Sequence, residues 1–229
     1  MEIEDETRAT RYTTLAAGPD FRHELEIRRS RFITVLRRSG DEHTARDLVA
    51  GLRREFHDAR HHCSAFVLGP DRMIQRSSDD GEPSGTAGIP MLEALIKRES
   101  TPGVTDLSDV AVVVVRYFGG ILLGAGGLVR AYSESVSTAL DLAPLVQRQR
   151  LRLCGIEVSH ADAGRLDNEL RNAGYVMAET RYEARHAVLR IAVADEPGVV
   201  AEAHARVAAL TAGNSLLRPE GTEWIDLPA

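Results

Sequence analysis

Two stretches hold most of the residues able to do chemistry. The first, RSSDDGEPSGTAGIP (76–90), crowds Asp79, Asp80 and Glu82 together, with Ser84 and Thr86 close behind and Gly81, Gly85 and Gly88 between them. Carboxylates held this close repel one another unless a cation, arginines or water neutralise them, and the glycines permit positive φ and close backbone approach. Such a cluster can serve as base, metal ligand or helix cap, although an ordinary exposed turn has the same composition. The second stretch, RYFGGILLGAGGLVRAY (116–132), ends an apolar strand in Gly119-Gly120. It then runs through Gly124, Gly126 and Gly127 into a helix starting near Ala125. Backbone N–H groups at a helix start can receive a phosphate or carboxylate, with Arg116 just before the turn and Arg130 inside the helix. Tight packing of that helix on its own strand would explain the glycines equally well.

Familiar catalytic patterns fail in detail. Gly119 and Gly124 have P-loop spacing, but Ala125 and Gly126 stand where lysine and serine or threonine belong. Gly124-x-Gly126 is followed by Val129 where a dinucleotide fingerprint needs its third glycine. Ser84 sits in Gly81-Glu82-Pro83-Ser84-Gly85, one residue too long for a nucleophile elbow, and there is no HExxH. His61 and Cys63 share a strand face, and Asp58 could orient His61, but two ligands do not make a metal site. Arg28, Arg29, Arg31, Arg37 and Arg38 could contact RNA phosphates; the interleaved Glu24 and Glu26 favour a solvated strand face. No catalytic residue is assigned, and neither a metal nor a cofactor is expected.

The elements that position these residues follow from periodicity. The segment from His23 to Ser39 alternates and reads as one long or bent strand interrupted near Arg28–Arg31. Residues 41–56 form a helix with Leu48, Val49, Leu52 and Phe56 on one face and Thr44 as N-cap. Strands are expected at 61–69 and 73–76, and a helix at 90–98 with Pro90 in its first turn. The β-branched run 109–118 suits a central strand buried on both faces. A helix over 125–142 turns Leu128, Val129, Tyr132, Val136 and Leu140 inward. After Pro144 the chain reads β-α-β-β-α-β, with strands at 151–159, 175–182, 186–194 and 215–227 and helices at 161–173 and 197–210, the order of a ferredoxin-like domain.

Composition bounds the rest. The 229 residues are 43% hydrophobic and 27% charged, which allows a packed core. The net charge of −6 is unlike that of a broad nucleic-acid binder, although a local basic patch remains compatible with it. Lys97 is the only lysine. Two distant cysteines exclude a disulfide framework and a four-cysteine zinc site and suit a reducing compartment. The acidic, polar first residues lack an apolar signal core, and no apolar run approaches the roughly 20 residues of a bilayer span. A cytoplasmic, non-membrane monomer is the expectation.

The strings SRFI (30–33), DARHHCSAFVLG (58–69), SSDDGEPSGTAGIP (77–90) and VVVVRYFGGILLGAGGLVRAYS (112–133) resemble the YigZ/IMPACT family over about residues 20–140. The remainder resembles the small ferredoxin-like domain that follows in bacterial members. The resemblance implies an α+β chain. Residues 1–20 would be a poorly ordered leader and 21–143 the IMPACT/YigZ N-terminal domain, an α/β sandwich of the ribosomal-protein-five second-domain type. Residues 147–229 would be the ferredoxin-like domain. Together the two resemble domains four and five of elongation factor G. Family motifs match at Asp79, Asp80, Glu82, Ser84, Arg116 and Arg130. They depart at Ile89 and Leu122, where basic residues are usual, and at RHHCSAF in place of THNCYAY.

Eukaryotic relatives regulate translation by binding a protein partner of a starvation-sensing kinase. The function implied is therefore non-catalytic binding of the ribosome, RNA or a translation-associated protein. Its binding residues would be Asp79, Asp80, Glu82, Ser84, Thr86, Arg116, Gly119, Gly120, Gly124, Gly126, Gly127 and Arg130, with His61 and Tyr132 as accessories. Two alternatives stay open. One is an enzyme acting on a phosphorylated or acidic small molecule, with Asp79, Asp80 or Glu82 as base or metal ligand and Arg130 holding the anion. The other is a purely structural loop whose carboxylates cap helices and pair with Arg116.

Overall fold

Alternation and helical spacing generate two separate α+β units. A computed structural model describes residues 7–227, and the chain divides within one strand, at Gln147/Arg148. In the first unit the elements are β1 (Arg11–Leu15), β2 (Phe21–Ile27), β3 (Ser30–Arg38), α1 (Glu42–Glu55), β4 (His61–Leu68), β5 (Ile74–Ser78), α2 (Gly88–Ile96), β6 (Val110–Tyr117) and α3 (Ala125–Leu142). Five strands form an antiparallel sheet in the order β2-β3-β6-β4-β5.

Strand β6 is central, and its period-two alternation divides the core. Val110, Val112 and Val114 face α2 and α3 together with Phe32, Leu36, Met91, Tyr132 and Val136. Ala111, Val113 and Val115 face α1 together with Ile33, Val35, Leu48 and Leu52. The expected central strand is thus buried on both faces, with a helical layer on each side.

Several local expectations are corrected. Residues 11–15, assigned to a loose leader, form β1, with Tyr12, Thr14 and Leu15 buried and Tyr12 Oη donating to Asp109 Oδ2 at 2.5 Å. The part of that leader before Thr7 lies outside the described residues. The single bent strand is a hairpin: Arg28 and Arg29 take φ of 49° and 64°, and Ile27 pairs with Ser30. Two left-handed central residues make the turn whose twist suits a two-residue hairpin, here without the usual Asn-Gly. The cap of α1 is Asp41, whose Oδ1 accepts from Thr44 N at 2.8 Å; Thr44 is its partner, not the cap. Helix α2 starts two residues before Pro90, because its cap comes from a distant carboxylate described below.

The second unit contains β7 (Leu145–Val158, from Arg148 onward), α4 (His160–Asn172), β8 (Val176–Met177), β9 (Arg181–Tyr182), β10 (Ala187–Ala194), α5 (Pro197–Leu210) and β11 (Leu217–Asp226). Strand β10 lies antiparallel between β7 and the short β8 and β9, while β11 flanks β7 antiparallel on its other side. This order is consistent with a ferredoxin-like sheet. The strand expected over 175–182 is broken into β8 and β9, each two residues long. Ser159 caps α4, accepting from Asp162 N at 3.2 Å. Cys154, Ile156, Leu189, Ile191, Leu166, Leu170, Ala203 and Val207 make the core between this sheet and its two helices.

Candidate functional site

The acidic loop between β5 and α2 is stitched to its surroundings one carboxylate at a time. Asp79 turns towards α2. Its Oδ1 accepts from the amides of Ala87 (3.0 Å) and Gly88 (2.8 Å), and its Oδ2 from Gly85 N at 2.8 Å. Ala87, the residue preceding α2, offers no side-chain cap, so Asp79 supplies it from outside the helix. Burial opposes ionisation of Asp79, but the three amides outweigh it and hold the carboxyl below its usual range. A Cβ on Gly88 would come within 2.8 Å of Ser78 N, so glycine is needed where α2 meets β5.

Asp80 turns the other way, through a left-handed backbone at φ 43°. Its Oδ1 accepts from Arg53 of α1 at 2.5 Å and its Oδ2 from His62 N of β4 at 2.6 Å. Its carbonyl lies 3.0 Å from His61 Nδ1. A carbonyl only accepts, so Nδ1 carries the proton and Nε2 is left facing Glu82 Oε1 at 4.0 Å. His62 itself is buried, which pushes its pKa down.

Glu82 is the innermost member. Its Oε1 accepts from Arg116 Nη1 at 2.5 Å and from Tyr132 Oη at 2.8 Å. The Arg116 guanidinium lies over the rings of Phe32 (5.5 Å) and Phe118 (5.8 Å), and both ion-pair partners are at least 92% buried. Cys63 Sγ lies 3.3 Å from Tyr132 Oη and donates to the Asp79 carbonyl at 3.0 Å. Burial pushes the Cys63 thiol up to about 12 and raises Tyr132 well above the ordinary phenol.

The two sequence stretches therefore meet, but through Glu82, Arg116 and Tyr132 rather than Arg130. Thr86 is buried, with its hydroxyl donating to Pro83 O at 2.6 Å, and Ser84 is exposed. Among the described residues no group of three or more His, Cys, Asp or Glu is placed to hold a metal ion.

The glycine-rich turn is built differently. A Cβ on Gly119 would lie 2.0 Å from the carbonyl carbon and oxygen of Arg29, and Gly119 N donates to Ser30 Oγ at 3.2 Å. The turn thus rests directly on the tip of the β2–β3 hairpin. Gly120 and Gly124 have φ of 85° and 70°. Gly124 precedes α3 without a side-chain cap, and a Cβ on Gly127 would press to 3.1 Å against that of Leu123. Gly126 lies beside Arg130, whose Nη1 is 3.8 Å from where a Cβ would stand. Phe118, Ile121, Leu122 and Arg130 are exposed.

Sequence reasoning missed Arg53 as the partner of Asp80 and the two rings that enclose Arg116. Arg53 falls on a charged helix face with nothing to distinguish it from Arg54. Phe32 and Phe118 are visible as apolar neighbours of strand arginines, yet only the sheet register brings Phe32 opposite Arg116.

These features define a class: a two-unit α+β chain whose acidic loop is locked to a strand arginine and a helix tyrosine beside an exposed glycine-rich turn. A model of the Impact N-terminal domain matches residues 28–140, and a domain of unknown function, DUF1949, matches 156–214. The chain belongs to the IMPACT family. It is 43% identical to IMPACT family member YvyE of Bacillus subtilis over 75% of this chain and 74% of that one. It is also 43% identical to IMPACT family member YigZ of Escherichia coli, over 66% of this chain and 74% of the relative. A crystal structure described as that of a hypothetical protein superposes with a TM-score of 0.59 at 34% identity, covering 91% of this chain and 97% of that one. Among the described residues no helix is long and apolar enough to cross a membrane.

Proposed function

We propose that the chain is a non-catalytic binding protein that acts on translation by contacting the ribosome or a factor on it. Its contact surface is the glycine-rich turn and the neighbouring hairpin tip. One observation carries this reading: every carboxylate of the acidic loop is engaged internally, while the turn beside it is packed on the hairpin tip through Gly119 and left exposed. Asp79 holds α2, Asp80 holds α1 and β4, and Glu82 holds Arg116 and Tyr132. A base or metal ligand needs lone pairs free for substrate or ion; both oxygens of Asp79 and of Asp80, and Oε1 of Glu82, already accept from amides, arginines or the Tyr132 hydroxyl. The loop works as the frame of the turn.

The family's regulation of translation in its eukaryotic members supports the ribosomal setting. The finer domain assignments belong to the same reading: an α/β sandwich of the ribosomal-protein-five second-domain type over 21–143 and a ferredoxin-like domain over 147–229. The order β11-β7-β10-β8 supports the second of these. The test is co-sedimentation with purified ribosomes at low and moderate salt, comparing the wild type with Arg28→Ala/Arg29→Ala/Arg130→Ala of verified fold. Salt-sensitive pelleting of the wild type, lost in the triple variant, is expected. Absence of pelleting at either salt overturns the ribosomal reading.

A further inference from the structure

The glycine-rich turn and the hairpin tip form a surface of unusual composition for a chain of net charge −6. No aspartate or glutamate occurs in residues 27–40 or 110–133, the two stretches that build it. Three arginines of the hairpin strands are neutralised: Arg22 by Glu55, Arg31 by Glu24 and Arg37 by Asp20. Arg28 and Arg29 at the tip and Arg130 on α3 are exposed, and no ion pair to them is formed among the described residues. Between them stand Phe118 (51% exposed), Ile121 (39%) and Leu122 (82%). Contact of Gly119 with the Arg29 carbonyl makes the two stretches one surface.

Given the ribosome-linked reading above, on which this inference rests, the geometry points to a protein segment as the partner: an acidic stretch carrying an apolar anchor that receives Leu122. Charge complementarity supplies the acidic half, since three uncompensated guanidinium groups flank the apolar tip. The aliphatic side chains decide between protein and RNA. Single-stranded RNA is held by stacking on flat rings. Phe118 is the one exposed aromatic of these two stretches, and the Arg116 guanidinium already lies over its ring at 5.8 Å. Branched side chains such as Leu122 and Ile121 gain by leaving water for an apolar pocket, which a phosphate backbone does not offer. An exposed apolar tip with arginines on the adjoining segments suits a protein partner, since arginine is enriched at protein–protein interfaces.

Photo-cross-linking in living cells tests this with the full-length chain, placing p-benzoylphenylalanine at position 122 and, as a control, at the exposed Val176 of the second unit. The expected adduct, formed at 122 and not at 176, maps to a peptide with glutamate or aspartate flanking apolar residues. Its yield falls at least tenfold in the Arg28→Glu/Arg29→Glu background and recovers when the partner's acidic residues are reversed to lysine. An adduct to RNA, an adduct to a peptide without acidic residues, an adduct indifferent to the arginine reversal, or no adduct overturns the inference. If the acidic peptide belongs to a protein unconnected with translation, the ribosomal reading falls while the surface assignment stands.

Discussion

Replacing Asp79 by alanine removes one side chain but unpairs three amides, those of Gly85, Ala87 and Gly88. Loss of a helix cap costs about 1–2 kcal/mol, and a further buried N–H left without a partner adds about 1–3 kcal/mol. A total of about 3 kcal/mol follows, or about 6–12 °C in Tm for a chain of this size. Asp79→Asn keeps one oxygen for Ala87 and Gly88 but presents an amide N–H2 group to Gly85, so roughly half of that loss is expected. The acid side gives a second reading. The folded carboxyl of Asp79 lies below its unfolded value, near 3.9. Its charge-dependent stabilisation is therefore complete above about pH 4 and is lost as pH falls through the lower folded value. Thermal or urea melts from neutral to strongly acidic pH should show the gap between wild type and Asp79→Asn closing only at the acid end. An unchanged melt for Asp79→Ala at neutral pH, or a gap that widens in acid, would refute the capping role and return the carboxylate to the pool of chemically free groups.

Three other outcomes are expected. Glu82→Ala leaves the Arg116 charge buried without its partner and should cost about 3–5 kcal/mol in urea denaturation, whereas Glu82→Gln, which still offers an oxygen, should cost less. Gly119→Ala should destabilise by more than Gly120→Ala, because a Cβ at 119 meets hairpin backbone at 2.0 Å while the space at Gly120 is open and only its φ of 85° is strained; equal melts for the two would show that the hairpin tip yields freely. The Cys63 thiol, buried and raised to about 12, should resist alkylation near pH 8 in the native state and react only after unfolding, as mass spectrometry of the labelled chain would reveal.

How much of this was legible in the sequence depended on how local the cause was. The alternation of Val110–Val115 announces a strand buried on both faces, and the spacing of Leu48 and Leu52 announces the helix packed on one of them. A break near Arg28–Arg31 is legible but the chain reversal there is not, because the turn is made by Arg28 and Arg29, residues with no preference for positive φ, in place of an Asn-Gly pair. The start of α2 was hidden for another reason: its cap sits at Asp79, separated from the helix by a turn. The acidic loop stands out in the sequence, and the capping and Arg116-pairing alternative describes what Asp79 and Glu82 do. The division of labour between Asp79 and Asp80 was beyond reach, since it is set by the left-handed backbone at Asp80 and by Arg53, which only tertiary structure brings near.

Two closures of the acidic loop differ widely in the length of chain they span. The Asp79 bonds to Gly85, Ala87 and Gly88 span six to nine residues, whereas Glu82 reaches 34 residues to Arg116 and 50 to Tyr132. Short closures form early and long ones late when chain entropy sets the order. In stopped-flow chevrons Asp79→Ala should then mainly slow refolding, and Glu82→Gln should mainly hasten unfolding. The same few residues would act as a seed on one side and as a bolt on the other, so that the lifetime of the presented turn is governed by Glu82, however well the loop is nucleated.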